Sequence, residues 1–143
     1  MLNPRKAVDF FSINMLKLTQ IGGDIMKEDK LGNLSMELSV DILQLSKDLR
    51  ATKENIISNQ IARSATSICS NIAESKYAHS RADFIAKLEI SLKEANETSK
   101  WLEMLFKSNY IDDKKYNALN RKCSTIKFLL VKSITTAKSN NNN

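Results

Sequence analysis

At 143 residues with 42% hydrophobic and 27% charged side chains, the chain has material for one ordinary domain with a real core and is too apolar for a disordered polymer. Glycine and proline are nearly absent, Gly22, Gly23, Gly32 and Pro4 being all there are, so sandwiches, barrels and doubly wound sheets, which need both at their turns, are excluded. The formal charge of +6 is gathered in the last third: residues 101–143 carry eight basic and three acidic side chains, whereas residues 1–54 balance at eight and eight.

Residues 1–32 hold every Gly and Pro and keep no long apolar period, so they read as an N-terminal extension, partly disordered. Met26, followed by KEDKLGNLS, is an alternative start, with the upstream residues a mis-start. No apolar run approaches the ~20 residues that span a bilayer, and Asp9, Ser12 and Asn14 break up any secretory signal. The four-helix segment is expected over 33–138.

The first helix is expected over about 35–51, where Leu38, Ile42, Leu45 and Leu49 recur at four, three and four, with Asn33 or Ser35 as its cap. The second is expected over about 53–76, carrying Ile57, Ile61, Ala65, Ile68 and Ile72. The third, about 81–108, alternates three and four through Ile85, Leu88, Leu92, Ala95, Ser99, Leu102 and Phe106. The fourth, about 113–138, does the same through Tyr116, Leu119, Cys123, Ile126, Leu130, Ile134 and Ala137. Residues 139–143 form a polar tail that frays.

The joints have their own chemistry. Ser80 and Asp83 form a capping box at the start of helix three. Asn109 stands where an αL residue closes that helix, and Asp112 suits the N-cap of the fourth. Asn71, beside Ile72, is a poor helix former that needs a partner if buried; a backbone group or side chain of a neighbouring helix is expected to take its hydrogen bond. Short connectors make neighbours antiparallel, so the fold class is all-α, an up-down four-helix bundle.

Catalytic chemistry finds little to work with. A di-metal carboxylate site needs two Glu-x-x-His pairs, and His79 is the only histidine. Cys69 and Cys123 are isolated, without a CxxC, and read as half-buried free thiols of a cytoplasmic protein. No phosphate-cradling glycine loop exists. The expectation is no enzyme, no metal and no cofactor. Lys114, Arg121 and Lys132 fall within about 20° of one another at ~100° per residue, flanked by Lys115 and Lys122, opposite the apolar stripe. That face either binds nucleic-acid phosphates without sequence readout or is simply solvated. Trp101, Met104, Leu105, Phe128 and Val131 lie off the main stripes, a surplus of apolar surface that points to self-association.

The stretch QIARSATSICSNIAESKYAHSRADFIAKLEISLKEANETSKWLEMLFKSNYID resembles the 23S ribosomal RNA intervening-sequence protein family, which includes the accessory variability protein of diversity-generating retroelements. Gln60 and Arg63 stand in the family's QLxRA motif, SICSNIAE in its SIxxNIAEG, and SNYID in its LGYI. SRADFIAKLEISLKEANET follows its S-x-x-[DE]-F opening of helix three. The resemblance spans roughly 36–137. Ser75 and Asn109 replace family glycines, so helix two is expected to continue through Tyr77.

What the resemblance implies is a bundle assembled as a ring-shaped homo-oligomer, commonly a pentamer, with basic surface. It also implies binding of RNA or DNA, or an adaptor role for a reverse transcriptase or another protein, and no membrane. A ribosomal label in this family reflects gene location. Candidate nucleic-acid contacts are Lys114, Lys115, Arg121, Lys122, Lys132, Arg63 and Arg81, with an ion-pairing structural role the competing reading for Arg63.

Overall fold

Four helices follow one another in a computed structural model that describes residues 29–140: α1 (Lys30–Ala51), α2 (Ile56–Ser75), α3 (Arg81–Lys107) and α4 (Asp113–Ser139). Contacts divide the chain into two units, Met1–Lys30 and Leu31–Asn143, and the bundle is the second. The expectations of an N-terminal extension up to residue 28, of a start at Met26 and of a fraying tail at 141–143 lie outside the described residues. Among the described residues there is no strand and no helix long and apolar enough to cross a membrane.

Hydrogen bonds between helices set the topology. Ser39 reaches Ala65 while Ser46 reaches Ser58, so α1 and α2 run in opposite directions. Ser64–Thr98 and Ile68–Ser91 make α2 and α3 antiparallel. The ion pair Glu89–Lys138 at one end and the Phe106–Tyr116 ring stack (4.7 Å) at the other do the same for α3 and α4. Lys122 of α4 then meets Asp41 of α1 and closes the circle.

The core follows from the apolar periods. Leu38, Ile42, Leu45 and Leu49 of α1 are buried, as are Ile61, Ala65, Ile68 and Ile72 of α2 and Leu119, Cys123, Ile126, Leu130 and Ile134 of α4. Each large aliphatic side chain there stabilises by about 1.5–3 kcal/mol. In α3 the buried face is turned from the expected stripe. Ile85, Leu92 and Phe106 are only half-buried, and Ser91, Glu94, Thr98 and Leu105 are inside with Leu88, Ala95 and Leu102. The hydroxyls explain the turn: Ser91 Oγ donates to the Ile68 carbonyl (2.8 Å) and Thr98 Oγ1 to Ser64 Oγ (2.8 Å), so polar residues fill the seam against α2.

The α1–α2 seam is likewise built of small hydroxyls. The Ser46 and Ser58 hydroxyls are 2.8 Å apart, and each lies within 3.0 Å of the other residue's carbonyl. Ser39 Oγ lies 2.9 Å from the Ser35 carbonyl and 3.0 Å from that of Ala65. Asn71 is not such a tie: its amide donates to the Ser67 carbonyl (2.9 Å) and hydroxyl (3.2 Å), one turn back in its own helix. The serines make the cross-helix links expected of it.

Helix boundaries depart from the periodicity where caps take over. α1 starts at Lys30, five residues before the expected Ser35, because Leu31 and Leu34 pack on the core and extend the buried stripe. Asn33 and Ser35 therefore lie inside the helix; Ser35 Oγ bonds the Gly32 carbonyl (2.8 Å). α1 ends in a Schellman turn, with Lys53 N–H donating to Arg50, Glu54 N–H to Leu49, and Lys53 itself in the left-handed region at φ 66°. Glu54 then caps α2, its carboxylate accepting from the N–H groups of Ile56, Ile57 and Ser58 at 2.9–3.1 Å. A negative charge at a helix N-terminus complements the macrodipole.

α2 stops at Ser75 rather than running through Tyr77. Beyond it Lys76, Tyr77 and Ala78 donate to carbonyls three residues back, a tightened turn that ends the helix without a glycine. Ser80 Oγ accepts from Asp83 N–H (3.0 Å), and the Asp83 carboxylate accepts in turn from His79 N–H (3.2 Å), closing the box one residue outside the cap. Asn109, at φ 60°, is the αL residue of a second Schellman turn, with Asn109 N–H on Phe106 and Tyr110 N–H on Leu105. Asp112 caps α4 through Lys115 N–H (2.8 Å).

Candidate nucleic-acid interface

α4 is the most basic element of the bundle, and its only acidic residue is Asp113 in the first turn. Its core residues occupy one side, so the residues on the opposite side face solvent by construction. Lys114, Arg121 and Lys132 are exposed there, while Lys115 is exposed about 100° round the helix, on the side of Lys122. Among the described residues none of these four has a carboxylate within ion-pair distance.

The other three sequence candidates are placed differently. Lys122 turns toward α1, where its ammonium lies 2.8 Å from Asp41 Oδ2 and 3.3 Å from Glu37 Oε2. The Asp41 hydrogen bond holds that ammonium's pKa above the ordinary lysine value. Lys122 is thus a strut between the first and last helices rather than a free cation. Arg63 spans from α2 to α3, with Nη1 3.2 Å from Glu94 Oε2 and Nη2 on Glu97. Trp101 Nε1 donates to the same Glu97 oxygen (3.3 Å), and the Arg63 hydrogen bond keeps the Glu97 carboxyl below the usual glutamate range. These partners fit the ion-pairing, structural reading of Arg63. Arg81 is exposed at the first residue of α3, away from the α4 face in sequence and element.

Two further ion pairs tie helices together: Glu74 with Lys87 between α2 and α3 (2.7 Å), and Glu89 with Lys138 between α3 and α4 (2.6 Å). Acidic side chains of α1, α2 and α3 thus occupy the cations along the seams, and the α4 outer face keeps its positive charge. A polyanion docking there would meet no local repulsion from α4 beyond Asp113.

The surplus apolar residues divide. Leu105 is fully buried, Trp101 is half-buried, and Met104, Phe128 and Val131 are exposed. Phe128, at 67% exposure, is seven residues after Arg121 and four before Lys132, which puts it on the basic face rather than on a separate one. The i, i+7, i+11 spacing of Arg121, Phe128 and Lys132 is the sequence signal for that placement, against the expectation that Phe128 belongs to an association surface. A second exposed stripe, Met36, Val40 and Leu43, runs along α1 at spacings of four and three, opposite its core side.

Neither thiol belongs to this face. Cys123 is fully buried, its Sγ 3.2 Å from the Ala95 carbonyl and 3.3 Å from Ser99 Oγ, and burial pushes its pKa up. Cys69 is half-buried on α2, and both are free.

Against known proteins, the sequence profile of the 23S rRNA-intervening sequence protein family matches residues 27–132. A crystal structure from Bacteroides thetaiotaomicron VPI-5482, described as a protein of unknown function from the S23 ribosomal protein family, is 47% identical. The match covers 73% of this chain and 97% of that one, with a TM-score of 0.71. Among curated proteins no relative matches.

Proposed function

The chain belongs to the 23S rRNA-intervening sequence protein family, and from that premise we propose that it is a non-catalytic, cytoplasmic, homo-oligomeric bundle that binds RNA or DNA through the outer face of α4. The observation that carries this reading is the set of four exposed, unpaired cations, Lys114, Lys115, Arg121 and Lys132, on a helix with one acidic residue. Such contacts go to phosphates, so binding is weakly sequence-selective and salt-dependent. The exposed apolar stripe of α1 supports self-association, and the resemblance to ring-forming family members makes a pentamer the expected assembly.

Salt titration of binding to mixed RNA and DNA oligomers tests the reading. Affinity should rise as salt falls, with a log–log slope of about −0.7 to −0.9 per phosphate contacted. Absence of binding at low salt refutes it. Sedimentation against the 16.2 kDa protomer mass tests the assembly. The alternative, an adaptor for a reverse transcriptase or another nucleic-acid enzyme, is favoured by the same α1 stripe, Met36, Val40 and Leu43, as a helix-docking surface. Pull-down of the purified chain against the product of a neighbouring gene separates the two.

A further inference from the structure

We propose that the α4 face is a single-strand site, in which a base stacks on Phe128 while Lys114, Arg121 and Lys132 hold backbone phosphates on either side. This rests on the nucleic-acid reading above and names the substrate class within it. Phe128 is two-thirds exposed, so most of its burial energy is unused in the protomer. At ~100° per residue it lies within about 20° of Arg121 and about 40° of Lys132 and Lys114. Val131, half exposed, widens the apolar platform beside it.

An apolar ring framed by unpaired cations fits a ligand that alternates π-faces with negative charge. A single strand is that ligand: its bases are open to stacking and its phosphates run alongside. A duplex keeps its base faces inside the stack, and offers phosphates to the cations but nothing to Phe128. A purely apolar partner would bury the ring at the cost of desolvating Arg121 and Lys132 without counter-charge. Lys114 to Lys132 spans about 27 Å of helix at ~1.5 Å per residue, room for several nucleotides. Stacking is indifferent to base identity, so this contact adds affinity without sequence preference.

The test is fluorescence anisotropy of the full chain with a labelled oligo-dT, an oligo-U and a DNA duplex of equal length, across a salt series. The single strands should bind more tightly than the duplex. Phe128→Ala should weaken single-strand binding by about 5- to 150-fold with the salt slope unchanged, and Phe128→Trp should restore it. Arg121→Gln or Lys132→Gln should instead lower the slope, by about 0.7 each. If Phe128→Ala binds like the wild type while the Gln variants weaken, the stacking site is wrong and the phosphate reading survives. If the wild type binds no oligomer at low salt, both fall. Two other outcomes overturn the inference: Phe128→Ala dissociating the oligomer in sedimentation, which makes the ring an interface between copies, or abolishing binding to anionic vesicles while oligomer binding is intact.

Discussion

Replacing Ser39 separates two effects in the α1–α2 seam. Its hydroxyl sits between the Ser35 carbonyl at 2.9 Å and the Ala65 carbonyl at 3.0 Å, with the side chain buried. Ser39→Ala removes the hydroxyl but orphans nothing, because both carbonyls lie inside helices and keep their amide partners. The loss should be that of one hydrogen bond, about 1 kcal/mol. Ser39→Val keeps that loss and puts a methyl group where an oxygen touches backbone oxygen at hydrogen-bond distance. The helices must part or the rotamer strain, adding about 1–3 kcal/mol. At about 4 °C per kcal/mol for a unit of this size, the alanine variant melts about 4 °C below the wild type and the valine variant about 8–16 °C below. Chemical and thermal unfolding should be run at one protomer concentration, since association would add to the apparent stability. If Ser39→Val matches or exceeds the wild type, the seam is not closed by hydroxyl–backbone contact and the explanation given for the buried serines fails.

Three shorter expectations follow from other parts of the bundle. Lys53→Gly should stabilise by about 0.5–1 kcal/mol in the same unfolding assay, because a lysine at φ 66° carries a left-handed cost that glycine escapes; Asn109→Gly should gain less, asparagine being more at ease there. In the native protein a thiol reagent should label Cys69 and spare Cys123, which is buried with its pKa raised, and both should react in urea; fast native labelling of Cys123 contradicts the burial. Hydrogen bonds from Lys107 and Lys100 hold the Glu103 carboxyl down to about 2 from the ordinary 4.5, a depressed acid, so its contribution is full above pH 4.5 and is lost as pH falls through about 2. The wild type should therefore lose its advantage over Glu103→Gln in that window, and an NMR titration midpoint for Glu103 near 4.5 would show the pairing absent.

The apolar stripes of α1, α2 and α4 could be read from spacing because large aliphatic residues mark the buried side every three or four positions, even though serines take several of the buried places on α1 and α2. α3 could not. Ser91, Thr98 and Glu94 are polar in any hydropathy pattern, and only their distant partners (Ile68, Ser64 and Arg63) make them interior residues. The same limit governs the candidate interface. Lys122 and Lys132 look alike in sequence, ten residues apart on a basic helix. What separates them is Asp41, 81 residues earlier in the chain. Arg63 is committed by Glu94 and Glu97, more than thirty residues on. Caps with local partners, Ser80 with Asp83 and Asp112 with Lys115, were legible because the bond spans three residues. The Lys53 turn was not, because lysine carries no preference for the left-handed region that would mark it.

Charge sorting links the fold to the proposed site. A bundle with an excess of cations has two ways to use its carboxylates: spread over every surface, or drawn into the seams. Here six of the carboxylates among the described residues go to the seams. Glu37 and Asp41 take Lys122, Glu74 takes Lys87, Glu89 takes Lys138, and Glu94 with Glu97 take Arg63. Each exposed pair contributes little to stability, about 0–1 kcal/mol, so stability alone is a weak reason for the arrangement. Its larger effect is on what is left over. The pairing consumes cations that face neighbouring helices and none of those facing outward on α4. Substituting Asp41 by Asn should then leave Lys122 with Glu37 as its one remaining carboxylate, 3.3 Å away, without making it a phosphate ligand, because its side chain remains on the α1 side of the helix. Oligomer affinity should stay within about twofold of the wild type, whereas removing Lys132 should cost a full contact's salt dependence. A marked gain in affinity for Asp41→Asn would mean that the binding surface wraps onto the α1–α4 seam, and that the outer face of α4 is only part of it.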